Sequence, residues 1–145
     1  MNIMIKRLLL YSDGGARGNP GPAAIAYLAL TEKGEVVKTD SRYIGKHTNN
    51  QSEYKALIAA LEFAIASEVE EAVCNLDSEL VTKQLNGEYS VKNFELQKLW
   101  RSTKELKNCF KKISFVNVPR SNPYIQRADA LVNRTLDEEE SKKAL

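Results

Sequence analysis

Four acidic residues stand where the surrounding pattern asks for apolar ones. In LLLYSDGGARGNPGP, residues 8–22, Asp13 ends an apolar run and is followed by Gly14 and Gly15. Asp77 closes a second such run, EAVCNLD, residues 71–77. Glu53 precedes Leu57 by four residues and Leu61 by eight, which sets it on the apolar stripe of a helix. Asp129 follows Ile125 by four and precedes Val132 by three, on the stripe of another helix. Burying an unpaired carboxylate is costly, and the chain offers no obvious cationic partner for all four. Clustered carboxylates that side chains do not neutralise suit a hard divalent cation.

Each acid also has a plainer use. Glu53 has the spacing to complete a capping box begun by Asn50, although Thr48 and Gln51 share that spacing and can supply one without it. Asp77 can cap the helix that follows it. Asp129 can sit at a stripe edge and reach solvent, and Asp13 can be a turn aspartate before glycine. Four acids from four separate elements, each at an edge of the core, favour one shared site.

The elements that must position them follow from periodicity and turn chemistry. Residues 6–12 read as a strand, and NPGP at 19–22 as a turn, since proline fixes φ and glycine permits the reversal. AAIAYLAL (23–30) and VVKTDSRYIG (36–45) read as two further strands joined by the EKGE hairpin. KHTNNQSEY leads into a helix with Tyr54, Leu57, Ile58, Leu61 and Ile65 on one face. A fourth strand spans 71–77, and SELVTKQLNGE is a short helix ended by Gly87. A longer helix runs from about Asn93 to Phe110, with Leu96, Leu99, Trp100, Leu106 and Phe110 inward. KISFVNV (112–118) is a fifth strand and residues 122–136 a last helix. The order βββαβααβα implies an α/β fold: a five-stranded mixed sheet flanked by helices, its later strands joined by right-handed crossovers.

Composition is that of a soluble globular domain, with 43% hydrophobic and 28% charged residues among 145. Residues 1–136 are read as one domain, and the acidic stretch 137–145 as a tail that frays, because Asp137–Glu140 opposes a helix C-terminal dipole. No run approaches the roughly 20 apolar residues of a membrane helix, and MNIMIKRLLLYSD has no signal-peptide cleavage site, so the expected location is the cytoplasm. Cys74 and Cys109, with a single histidine at His47, make neither a disulfide framework nor a zinc site and are read as buried thiols. His47 is read as a loop residue. Net charge is +2, but residues 92–112 gather seven bases, including Lys98, Arg101 and Lys104, against two acids. That is a basic face, either solvated or available to nucleic acid.

The stretches YSDGGARGNPGPAA, GKHTNNQSEYKALIAALEFA, LDSELVTKQLNGEY and VPRSNPYIQRADALVN together resemble type 1 ribonuclease H, in that family's order and over roughly residues 6–136. The resemblance implies the ribonuclease H-like fold, and Asp13, Glu53, Asp77 and Asp129 as catalytic, metal-binding carboxylates. It implies two Mg²⁺, with Mn²⁺ as a possible substitute, Asp13 bridging both ions. Glu53 and Asp77 then hold the leaving-group side and Asp129 the side of the attacking water. The implied reaction is hydrolysis of the RNA strand of RNA–DNA hybrids, giving 5′-phosphate and 3′-hydroxyl ends. Asn19, Asn50 and Gln51 match positions that touch the RNA strand or minor groove, Asn49 is a further candidate contact, and the backbone at Gly14 and Gly15 can approach a strand closely because no side chain intervenes. Thr48 matches a pocket for a phosphate of the DNA strand.

The sequence departs from the better-known bacterial pattern. The loop before Asp129 has no histidine, which leaves Arg120, Arg127 or no residue in its place. The chain between Gly87 and Lys112 is too short for a separate basic handle, so the face with Lys98, Arg101 and Lys104 is the candidate substitute. A monomer without an obligate protein partner is expected. The competing functions are a related nuclease acting on DNA and a catalytically silent hybrid-binding module.

Overall fold

The computed structural model describes residues 5–143; residues 1–4 of the segment read as the domain, and 144–145 of the tail, lie outside the described residues. Five strands are present: β1 (Arg7–Ala16), β2 (Gly21–Leu30), β3 (Val36–His47), β4 (Glu71–Leu76) and β5 (Lys112–Asn117). Four helices accompany them: α1 (Asn49–Ala66), α2 (Glu79–Leu85), α3 (Phe94–Lys107) and α4 (Pro123–Lys143). The sheet order is β3-β2-β1-β4-β5. β1, β2 and β3 pair antiparallel, whereas β4 runs parallel to both β1 and β5. The expected mixed α/β sheet and element order are both observed.

Helices cover both faces, and the period-two alternation of β2 divides its side chains between them. Ile25, Tyr27 and Ala29 join the α1 side with Leu8, Leu10, Leu57 and Leu61. Ala24, Ala26, Leu28 and Leu30 meet Ala128, Val132 and Leu136 of α4. On α1, Tyr54, Leu57 and Leu61 are buried as expected, while Ile58 and Ile65 are half-buried. Alanines 56, 59, 60 and 64 complete the buried face, and their small side chains let the helix lie close to the sheet.

β1 is longer than residues 6–12. Its pairing with β2 continues through Asp13↔Ala26 to Ala16↔Ala23, so Asp13 is a strand residue and not a turn aspartate. Pairing with β4 ends earlier, at Tyr11↔Asn75. Asp13 and Asp77 each lie two residues beyond that last pair, level with one another at the carboxyl ends of adjacent parallel strands. The chain leaves β1 toward one sheet edge and returns through β4 toward the other. In open α/β sheets such a switch point is where ligands bind.

The acidic segment is helical past 136: α4 continues through Lys143, and its last turn carries Lys142 and Lys143. Two local expectations change. Cys74 is buried, but Cys109 is exposed because α3 ends at Lys107 and its apolar period stops there. His47 is the last residue of β3, paired with Gly21, and is not in a loop.

Candidate active site

The first turn of α1 is fixed by a capping box between Thr48 and Gln51, which leaves Glu53 free of capping. Ser78, not Asp77, caps α2, its hydroxyl accepting from the Val81 amide at 3.2 Å. Gly14 then sets how closely β1 and α1 approach. A Cβ at Gly14 would fall 2.3 Å from the backbone carbon and oxygen of Ser52. Its missing side chain therefore serves helix–strand packing. The close approach lets the Gly14 amide donate to Glu53 Oε1 at 3.4 Å.

Asp13, Glu53 and Asp77 each offer an oxygen, and these three atoms lie within 4.8 Å of one another. Asp13 is 5% exposed and Glu53 is 9% exposed. Burial pushes the Asp13 carboxyl up to about 7, a hydrogen bond with Glu53 offsets part of that rise, and the charges of Asp77 and Asp129 add to it. Burial and then the charge of Asp13 hold Glu53 well above the usual carboxylate range. Glu53 Oε2 is buried without a hydrogen-bond partner among the described residues. The sole ion pair made by the four acids, among the described residues, joins Asp77 Oδ2 to Arg120 Nε at 3.6 Å. Arg120 is 93% exposed, so it cannot balance the buried pair. A compact set of hard oxygen donors with one oxygen unsatisfied fits a divalent cation.

Asp129 stands apart from the three. The buried position on α4 is Ala128, one residue away, and Asp129 is exposed. It nevertheless faces the same cavity of about 500 Å³, lined also by Asp13, Gly14, Gly15, Asn49, Asn50, Glu53 and Asp77. With Arg120, the structure thus gathers nine of the residues singled out from the sequence around one opening.

The others fall nearby or elsewhere. Asn19 Oδ1 accepts from the Asn49 amide at 3.0 Å, which ties the β1–β2 turn to α1. The Thr48 hydroxyl accepts from the Gln51 amide at 3.1 Å, and the Thr48 amide donates to Gln51 Oε1 at 2.9 Å. Gln51 and Lys98 line a second cavity of about 350 Å³ together with Lys46, His47 and Lys55. Lys55 follows Gln51 by four residues, a spacing that could have drawn attention to it. Arg101 and Lys104 line neither cavity but flank Trp100 on α3. Ser78 and Gln126 also line the larger cavity, and their capping and helix-surface patterns carried no signal of it. Of the two arginines weighed for the loop before Asp129, Arg120 reaches the cavity, while Arg127 lies 6.0 Å from the Tyr124 ring.

Comparison with known proteins agrees with this geometry. Residues 11–135 match a family described as reverse transcriptase-like. Over 132 residues the chain is 41% identical to ribonuclease HI of Halobacterium salinarum, covering 91% of this chain and 65% of that protein. The crystal structure of that archaeal RNase H1 superposes with a TM-score of 0.87, at 41% identity, over 91% of this chain and 98% of the solved one. The N-terminal RNase H domain of a Mycobacterium tuberculosis protein gives a TM-score of 0.89 at 35% identity, covering 94% of this chain and 98% of that domain. LC11-RNase H1, solved in complex with an RNA/DNA hybrid, gives 0.86 at 39% identity, over 91% and 98% of the two chains. The present chain spans 65% of the full halobacterial protein and 36% of the full mycobacterial one. Sequence, fold and the placement of the carboxylates agree, and the chain belongs to the type 1 ribonuclease H family.

Proposed function

We propose that this chain is an endoribonuclease that hydrolyses the RNA strand of RNA–DNA hybrids with two Mg²⁺, leaving 5′-phosphate and 3′-hydroxyl ends. The observation that carries the reading is the convergence of Asp13, Glu53 and Asp77 within 4.8 Å, with Glu53 Oε2 buried and unpartnered. Asp13, Glu53 and Asp77 would hold one ion, and Asp129 with Asp13 the other. A pair of such ions supplies the charge that activates water and stabilises the attacking and leaving oxygens of an in-line displacement. Mn²⁺, with similar preference for oxygen donors, would substitute.

The protein's own part is to bind, orient and exclude competitors. The high proton affinity of Asp13 and Glu53 means that cation binding must displace protons, so the metal concentration needed for activity falls as pH rises toward about 7. Arg120 stands at the cavity mouth, where its guanidinium can meet a phosphate oxygen. Gly14, Gly15, Asn49 and Asn50 line the floor and side against which the RNA strand would lie, with Asn19 and Gln51 supporting Asn49 and the cap. These groups address sugar and backbone, so the enzyme reads strand type and shape, not base sequence. A DNA-strand phosphate would meet the Thr48 hydroxyl proton near Gln51 and Lys98. Support for the substrate comes from LC11-RNase H1, which was solved with a hybrid.

The reading includes a monomer in the cytoplasm. Exposed large apolar residues among those described include Val37 on β3, Leu80 on α2 and Phe94 on α3. No helix among the described residues is long and apolar enough to cross a membrane.

The test is a labelled RNA–DNA hybrid beside RNA duplex, DNA duplex and single strands, each with Mg²⁺ and with EDTA. Cleavage confined to the RNA of the hybrid, and only with metal, is the expected pattern. Preferential cutting of DNA would identify a different nuclease, and metal-independent binding without cleavage would identify a hybrid-binding module.

A further inference from the structure

Arg17 is the first residue after β1, yet its side chain belongs to α4. One guanidinium nitrogen meets Glu140 Oε1 at 2.8 Å, and the other meets Asp137 Oδ1 at 2.7 Å. The second nitrogen also faces the Asn133 carbonyl at 3.3 Å and Asn133 Oδ1 at 3.4 Å. Asn133 Nδ2 in turn donates to the Asp129 carbonyl at 3.1 Å and to Asp129 Oδ2 at 3.4 Å. Asp129, Asn133, Asp137 and Glu140 are spaced by four, four and three residues, so they form one line along α4.

The direction of this line follows from donor and acceptor chemistry. A guanidinium has only donors, so it can face only the oxygen end of the Asn133 amide. The nitrogen end is thereby committed to Asp129. The two carboxylates hold the arginine fork in place while it does so. The backbone of Arg17 is equally fixed: its amide donates to the Pro22 carbonyl at 2.8 Å. A Cβ at Gly21 would fall 2.1 Å from the Arg17 carbonyl oxygen, which keeps that turn tight. Asp129 is exposed and gains no orientation from burial. Orientation from a hydrogen-bonded neighbour is what an ion-holding carboxylate in that position requires.

We propose that Arg17 is a positioning residue for Asp129, acting through the Asn133 amide and anchored by Asp137 and Glu140. It gives the acidic extension of α4 a role in the site that neither the cavity nor the family match assigns. The proposal rests on the reading of Asp129 as an ion-holding carboxylate, and its test separates the two.

Arg17→Ala, Asn133→Ala, Arg17→Lys and Asp129→Asn are compared by kcat and KM on an RNA–DNA hybrid and by half-saturating Mg²⁺. Mn²⁺ binding is followed by electron paramagnetic resonance. Arg17→Ala should weaken the Mn²⁺ held by Asp129 and raise half-saturating Mg²⁺ by roughly tenfold, and lower kcat, with KM for the hybrid within about twofold. Arg17→Lys keeps the charge but not the fork, so it should recover only part of that loss. Asn133→Ala should reproduce Arg17→Ala, and it carries the comparison if Arg17→Ala melts below the assay temperature. In an Asp129→Asn background, Arg17→Ala should leave Mn²⁺ affinity unchanged. An equal weakening in both backgrounds, unchanged Mn²⁺ affinity, or a rise in KM alone would overturn the proposal. If the wild type cuts no hybrid, the proposed activity fails, and the Mn²⁺ comparison still decides the role of Arg17.

Discussion

The Gly14 amide and the Glu53 carboxylate meet across 3.4 Å because nothing stands between β1 and the first turn of α1. That contact brings an acid from a helix to the strand that carries Asp13. A methyl group at Gly14 would sit 2.3 Å from Ser52 backbone atoms, which cannot rotate out of the way. Gly14→Ala should therefore cost about 1–3 kcal/mol of stability and abolish most hybrid cleavage, read by thermal melting and by a gel assay. Wild-type melting and turnover in that variant would mean that α1 has freedom the packing denies.

The buried carboxylates make metal-free stability depend on pH in an unusual sense. Asp13 is held up to about 7 against an ordinary 3.8, so between those values the folded chain keeps a proton that the unfolded chain has released. Stability from this group is full below 3.8 and is lost as pH rises through about 7. In EDTA the melting temperature should fall across that interval. Asp13→Asn should flatten the fall and raise the melting temperature near neutral pH, by about 2–4 °C for each kcal/mol of repulsion and desolvation relieved. The same variant should lose cleavage while still binding hybrid. A lower melting temperature for Asp13→Asn in EDTA would contradict the carboxylate cluster as a source of strain.

Much of this site could be read from local pattern, and the remainder depends on partners distant in sequence. Asp13 and Asp77 each end an apolar run, which places them at strand ends, and the parallel register then sets them level. Glu53 is legible because Leu57 and Leu61 follow it at helical spacing and Thr48 with Gln51 supplies the cap. Asp129 is harder, since the stripe of α4 is completed by Ala128, and a one-residue shift turns a buried position into an exposed one. The purpose of Gly14 depends on Ser52, and the ion pairs of Asp137 and Glu140 on Arg17, more than 100 residues away in sequence. Local dipole and propensity rules see neither partner.

Arg120 and Arg127 separate the two ways of filling the loop before Asp129. Arg120 lines the cavity 3.6 Å from Asp77, whereas Arg127 packs beside Tyr124. A charge-assisted hydrogen bond to a phosphate is worth about 1.5–3 kcal/mol, so Arg120→Ala should lower kcat/KM by roughly 10- to 100-fold. Arg127→Ala should stay within about threefold of wild type. The reverse order in steady-state kinetics would move the working cation from the loop after β5 onto α4.

The basic face of α3 should act on affinity through salt. Lys98 lies over the exposed Phe94 ring at 4.7 Å and Lys104 over the half-buried Trp100 at 5.7 Å, which presents charge beside aromatic surface. Replacing Lys98, Arg101 and Lys104 together by alanine should raise KM for a hybrid and reduce the slope of log KM against log salt by roughly 0.7–0.9 for each phosphate no longer neutralised. An unchanged slope would assign these bases to solvent.

Crystals of the protein soaked in Mn²⁺, with anomalous scattering recorded at the manganese edge, address the metal centre most directly. A peak bonded to Asp13, Glu53 and Asp77, with Glu53 Oε2 or the facing oxygens as ligands, is the expected result. Strong anomalous peaks elsewhere on the chain with none among these three carboxylates would contradict it.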